Sequence, residues 1–138
     1  MKLDIESLLN FNREEKRKMT PINLEQLFAQ TQENYALIPQ FLDELLLANV
    51  YCLGTEDQQQ KHHFRVLETE EGEQAIPFFL ELETIYRDFG SQVEHFTINT
   101  RTLFEMTKGA TLVLNPSSAL SKEFQPEEIH SILNMDEG

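Results

Sequence analysis

The apolar residues of this chain change their period several times along its length, and that limits the folds open to it. Over residues 23–48 the spacing is helical. Leu24, Leu27 and Phe28 fall at i, i+3 and i+4 behind Asn23, a residue type that caps helix N-termini, and Glu25 sits in the first turn. Leu37, Ile38, Phe41, Leu42, Leu45, Leu46 and Leu47 continue the pattern, with Pro39 suited to a first turn. The stretch reads as two helices or as one kinked helix. From Asn49 the period shortens. Residues 49–53 are β-branched and aromatic and stop at Gly54, which reads as a strand. Residues 63–68 and 74–80 read as two more strands joined by the turn Glu70-Glu71-Gly72-Glu73. Pro77 inside the latter marks an edge strand or an irregular strand end. Then the two periods alternate. A helix over 81–89 closes at Gly90, a strand covers 93–98, and a helix over 100–108 closes at Gly109. An apolar strand over 110–114, a turn over 115–118 and a helix over 125–133, with Pro126 at its first position, complete the series.

The order α, α, β, β, β, α, β, α, β, α predicts an α+β fold. A single mixed sheet of about five strands is packed with helices, two of them N-terminal. A length of 138 residues suits one domain. Thr20-Pro21 sets off residues 1–20 as an N-terminal arm or a short helix docked on the body, since Leu3, Ile5, Leu8, Leu9 and Phe11 are apolar and charged residues follow. The domain proper is expected over 21–134, with 135–138 as a tail.

Charge narrows the function. Eleven Lys and Arg stand against 24 Asp and Glu, giving a net charge of −13. Phosphate backbones and anionic membrane surfaces demand clustered cations, so neither nucleic acid nor membrane is an expected partner. The one basic cluster, Arg13, Lys16, Arg17 and Lys18, is interrupted by Glu14 and Glu15. A basic protein would be attracted; solubility alone is the plainer use of such a charge. The lone Cys52 allows no internal disulfide, which fits a reducing compartment, and its apolar neighbours Val50 and Leu53 make it a buried thiol. The first six residues carry acids where a secretory leader would carry a basic stretch and an apolar run, and no apolar run nears the roughly 20 residues of a membrane span. A cytoplasmic location is expected.

Catalytic chemistry is not visible. His62 and His63 are adjacent and would face opposite sides of a strand, while His95 and His130 lack partners at ligand spacing, so no metal site is expected. Ser117 and Ser118 lack the flanking glycines of a nucleophile elbow, and the scattered glycines form no phosphate loop. No catalytic residue and no cofactor is expected.

Two segments stand out. Ile76-Pro77-Phe78-Phe79-Leu80-Glu81 runs from strand to helix start. It reads either as an exposed aromatic lip for a partner or as two Phe shared between core and helix cover. The segment Leu114-Asn115-Pro116-Ser117-Ser118 delivers a polar turn that either binds or serves its own turn geometry. Pro77, Phe78, Phe79, Glu81, Asn115, Pro116, Ser117 and Ser118 are therefore the candidate partner-binding residues.

With Asn23-Leu24-Glu25, Val50-Tyr51 and the acidic opening Gln125-Pro126-Glu127-Glu128-Ile129, these segments resemble the N-terminal domain of the SseB family (enhanced serine sensitivity protein) over about residues 22–134. The chain departs from the family pattern at Leu80-Glu81, where Thr-Ser is usual, and at Ser117, where glycine is usual. The family's C-terminal domain has no counterpart in these residues. The resemblance implies an α+β bacterial domain, carries no catalytic residues, and points to an accessory or immunity role.

The leading expectation is a non-enzymatic module that binds a partner protein through an acidic surface. A small-ligand sensor or an unrecognised enzyme, with a pocket at the strand ends, is the alternative. Self-association through an apolar edge at 74–80, giving a homo-oligomer, is a third.

Overall fold

The computed structural model describes residues 23–59 and 61–135, so the arm or helix expected over 1–20 lies outside the described residues. Helix α1 spans Leu24–Thr31. Asn23 caps it, its side chain accepting from the Gln26 amide at 3.1 Å. A 3-10 turn over Tyr35–Leu37 then leads into α2, Ile38–Leu47, with Pro39 in its first turn. Residues 23–48 are thus two helices rather than one kinked helix.

The strands are β1 (Asn49–Glu56), β2 (His62–Phe64), β3 (Leu67–Glu68) and β4 (Gln74–Phe79), then β5 (His95–Asn99), β6 (Leu112–Leu114) and β7 (Lys122–Phe124). Between them lie α3 (Leu82–Phe89) and α4 (Thr100–Met106), and α5 (Pro126–Leu133) follows β7. Tyr51 pairs with Thr97 on one side and with Phe79 on the other, so β1 lies between β5 and β4. β4 pairs with β6 in parallel, and β6 with β7 antiparallel. The main sheet therefore runs β5-β1-β4-β6-β7, a mixed sheet of five strands in an α+β domain. β2 pairs with the far end of β1, and β3 with the start of β4.

The strand predicted over 63–68 is corrected to two short ladders with different partners. β1 continues beyond its predicted end at Leu53 because Gly54 adopts φ +130 and lets the chain across it approach. A Cβ there would lie 2.0 Å from the His63 carbonyl oxygen. β7 has no counterpart in the predicted order, since Lys122-Glu123-Phe124 holds one apolar residue and no period.

Strand alternation divides the core in two. Val50, Cys52, Phe78, Phe96, Ile98, Leu112, Leu114 and Phe124 point to one face, which α1, α2, α4 and α5 cover. Phe78, Phe104 and Phe124 form a triangle there, with ring centroids 5.7–5.9 Å apart. Leu53 and Phe79 point to the other face, where Ile85 of α3 packs on them. Asn99 ties the helices together. Its side chain donates to the Leu46 and Ala48 carbonyls at the end of α2 and accepts from the Thr102 amide at the start of α4.

Candidate functional site

The parallel strands β4 and β6 finish side by side, and the carboxyl ends of parallel strands are where ligands gather in open sheets. β4 gives way to Leu80, Glu81 and the start of α3; β6 gives way to the turn Asn115–Ser118. Asn115 is fully buried and adopts φ +50, a left-handed conformation that Asn tolerates better than most residues. Its amide donates to the Phe78 carbonyl, and its carbonyl accepts from the Ser118 amide at 3.0 Å, closing the turn. The side chain reaches much further. Asn115 Oδ1 accepts from the Leu80 amide at 3.3 Å, and Nδ2 donates to Glu25 Oε1 of α1 at 2.9 Å. One residue thus joins both strand ends to the first helix.

The turn's far side meets α3. Ser117 Oγ donates to Asp88 Oδ2, and Arg87 holds the same carboxylate through Nε to Oδ1 at 3.0 Å and Nη2 to Oδ2 at 3.2 Å. These two partners, Arg87 first, keep the Asp88 carboxyl below its ordinary range. Glu81 goes the other way. Loss of hydration against the body, then repulsion from Glu25 and Glu83, raises its pKa.

The candidate residues from sequence divide accordingly. Pro77, Phe78 and Phe79 are buried, with both phenylalanines fully so, and the exposed aromatic lip is corrected. The period of two sends Phe78 into the four-helix face and Phe79 under α3, where its ring meets Phe89 edge-on at 5.9 Å. Glu81, Asn115, Pro116, Ser117 and Ser118 do converge, and of these Glu81 and Ser117 are exposed. Sequence reasoning missed Glu25, Arg87 and Asp88 as members of the cluster. Glu25 was visible as a first-turn acid and within Asn23-Leu24-Glu25, neither of which points to this turn, and nothing local linked Arg87 and Asp88 to a turn some 30 residues away.

Elsewhere, Cys52 is buried and its thiol is pushed up to about 12 by that burial, so it stays protonated and unreactive at neutral pH. His62 lies against Phe96, with ring centroids 4.7 Å apart, while His63 reaches Asp57 at 3.2 Å on the exposed side. Among the described residues, no three His, Cys, Asp or Glu side chains are grouped to hold a metal ion, and no helix is long and apolar enough to cross a membrane.

Open concavities formed by described residues lie on both sides of the sheet. A groove of about 600 Å³ lies on the α3 side, floored by Ala75 and Val113 and walled by Glu68, Glu70, Glu71 and Glu123. The other, about 700 Å³, opens between α1, α2 and α5 and is largely apolar, with Phe28, Ile38, Phe41, Leu42, Phe124, Ile132 and Met135 in its lining.

The family described as SseB protein N-terminal domain matches residues 24–131. Protein SseB of Escherichia coli (strain K12) and Protein SseB of Shigella flexneri are each 35% identical to this chain over 128 residues. That alignment covers 86% of this chain and 48% of each relative, so the chain spans about half the length of the curated relatives it matches. No solved structure matches. With its described body matched from α1 into α5, the chain belongs to the SseB family through that family's N-terminal domain.

Proposed function

We propose that this SseB-like domain is a non-enzymatic protein-interaction module of a bacterial cytoplasm, an accessory or immunity-like protein that binds a basic partner through its acidic surface. The observation that carries the reading is where the charge sits. Of the eleven basic residues, Lys2, Arg13, Lys16, Arg17 and Lys18 precede α1, which leaves six for the rest of the chain against twenty acids. Four of those acids, Glu68, Glu70, Glu71 and Glu123, surround one open groove. Such a surface speeds encounter with a cationic partner and weakens as salt rises. Ser117 and Glu81, beside the strand ends, extend the contact area.

The test is capture from a bacterial lysate on the tagged protein, at low and at moderate salt, beside the triple variant Glu70→Lys, Glu71→Lys, Glu123→Lys. One basic protein held at low salt, released at moderate salt and lost to the variant is the expected result. Equal capture by both proteins sinks the reading.

A second reading, a small-ligand sensor with its site at the strand ends, draws on the parallel pair β4–β6 and on the raised pKa of Glu81 beside it. A thermal shift with a metabolite panel, lost in Ser117→Ala, would favour it.

A further inference from the structure

We infer that the β5 edge of the sheet is an interface between two copies of this chain, which join their sheets by antiparallel pairing of β5 with β5 about a two-fold axis at Thr97. This concerns a different surface from the acidic groove and stands independently of the proposed function.

The open edge follows from the ladder. The main sheet ends at β5 on one side and at β7 on the other. The Gly54 amide donates to the Glu94 carbonyl and the Thr100 amide to the Ala48 carbonyl, each at 3.0 Å. Residues 94 and 100 therefore turn their backbone groups toward β1. Phe96 and Ile98 between them do the same, because the bonds of an antiparallel ladder fall on alternate residues. His95, Thr97 and Asn99 turn theirs outward. Asn99 is engaged at the start of α4, so the outward groups on offer are those of His95 and Thr97. Among the described residues no strand pairs with that side of β5.

An unpaired edge invites another strand, and proteins blunt such edges with charge, proline or a bulge. β7 is blunted by Lys122 and Glu123, with Lys122 tied to Glu128 at 3.0 Å. β5 is not. His95-Phe96-Thr97-Ile98-Asn99 holds no Asp, Glu, Lys, Arg or Pro, and its register with β1 runs unbroken over all five residues.

The edge is complementary to itself. In antiparallel register about Thr97, each Thr97 amide donates to the other's Thr97 carbonyl, and each His95 lies opposite the other's Asn99. The exposed Thr97 side chains then meet across the axis, a β-branched pair suited to a sheet face. Each end of the strand also carries an exposed apolar side chain. Tyr86, 40% exposed, meets the His95 ring edge-on at 5.8 Å. Leu47, 66% exposed, marks the Asn99 end, where its carbonyl oxygen lies 3.5 Å from Asn99 Nδ2. Antiparallel pairing brings the Tyr86 end of one copy to the Leu47 end of the other. Charge favours the same occupant. Copies at −13 repel overall, and an uncharged strand is where that repulsion is least, while a basic partner finds no carboxylate on β5 to hold. Five residues span about 17 Å of strand, so the contact belongs with the small interfaces that form and dissociate with concentration.

Sedimentation of the full chain over a concentration series, at moderate and at high salt, tests this. The mass should rise from 16.1 kDa toward twice that value as concentration rises, and further at high salt, because salt screens the repulsion between copies. Hydrogen exchange locates the contact without any substitution. The His95 and Thr97 amides should slow several-fold from dilute to concentrated protein, while those of Phe96 and Ile98, already bonded to β1, change far less. Thr97→Glu and Thr97→Lys each set like charges opposite one another and should each abolish the dimer. An equimolar mixture of the two should restore it, since Glu then faces Lys across the axis. A mass of 16.1 kDa at every concentration would leave the edge to a strand of some other protein and overturns the assignment. So does a dimer that survives Thr97→Glu, a slowing of exchange away from β5, or a mixture that stays monomeric.

Discussion

The two faces of the sheet are built to different standards. Among the described residues, one is covered by four helices and holds eighteen buried residues in a single cluster. The other is covered by one eight-residue helix over Leu53, Phe79 and Ile85, with the acidic groove beside it. Phe78 and Phe79 are adjacent in sequence and equally inaccessible, yet they belong to these different worlds. Among the described residues the first face carries most of the buried core, while the second is thin and open.

Substitution at these two positions is the strongest way to break that comparison. Truncating a buried Phe to Ala costs about 3–5 kcal/mol, a large part of the roughly 5–15 kcal/mol that holds a domain together. Phe78→Ala should reach the upper part of that range, because Phe104 and Phe124 lose a ring from a triangle that helices enclose. Phe79→Ala should cost less, since α3 alone can settle into the gap. Hydrogen exchange adds a qualitative difference. Phe78→Ala should lower protection throughout the sheet, and Phe79→Ala chiefly in residues 82–89. Equal, global losses would show that the thin face is an integral part of one core.

Asn115 ties the ends of β4 and β6 to α1, and its replacement should come next in size. Asn115→Gly keeps the left-handed backbone but leaves the Leu80 amide without its acceptor, an expected loss of about 1–3 kcal/mol. Asn115→Ala should cost about 1 kcal/mol more, because a Cβ opposes φ +50. Denaturant unfolding of the pair measures the difference. If the two variants match, the conformation is not what selects Asn here.

The same residue shows where sequence reading stops. Helices were legible because i, i+3, i+4 spacing and cap residues such as Asn23 and Gly90 act within one turn. The interior strand β6 was legible because Leu112-Val113-Leu114 is apolar on both faces. The division of Phe78 and Phe79 between core and helix cover was one of two readings, because period two sends neighbours to opposite faces without saying that both faces are covered. The partners of Asn115 did not. Leu80 lies 35 residues away and Glu25 90 residues away, and the only local hint was an Asn before Pro, which ordinary turn chemistry already explains. β7 was illegible for a related reason. Its antiparallel pairing sets Phe124 opposite Leu112, a tertiary contact that no pattern in Lys122-Glu123-Phe124 announces.

Smaller effects probe the two ends of α3, the helix that covers the thin face among the described residues. Asp88 is held ionised by Arg87 and Ser117, so its folded-state pKa lies below the ordinary carboxylate value. A lowered pKa contributes stability that is present above about pH 4 and fades as pH falls through the folded value. Asp88→Asn should therefore lower Tm slightly at neutral pH, and the gap from the parent should close in strong acid. A gap that persists unchanged there would mean the carboxylate's charge is not what matters.

Glu81, at the other end of α3, should behave with opposite sign and give the smallest effect. Its pKa is raised by lost hydration and by Glu25 and Glu83, so folding favours the neutral form. That contribution is present below about pH 4.3, the ordinary Glu value, and is lost as pH rises through the folded one. At neutral pH the ionised carboxylate is a small burden on the first turn of α3. Glu81→Gln should therefore raise Tm slightly at pH 7 and leave it unchanged near pH 3, measured by thermal unfolding across that range. The two ends of one helix would then move apart in pH, Asp88 favouring neutral conditions and Glu81 acid ones. A Glu81→Gln protein less stable than its parent at pH 7 would place a favourable contact on that carboxylate. The start of α3 would then be as firmly held as its end.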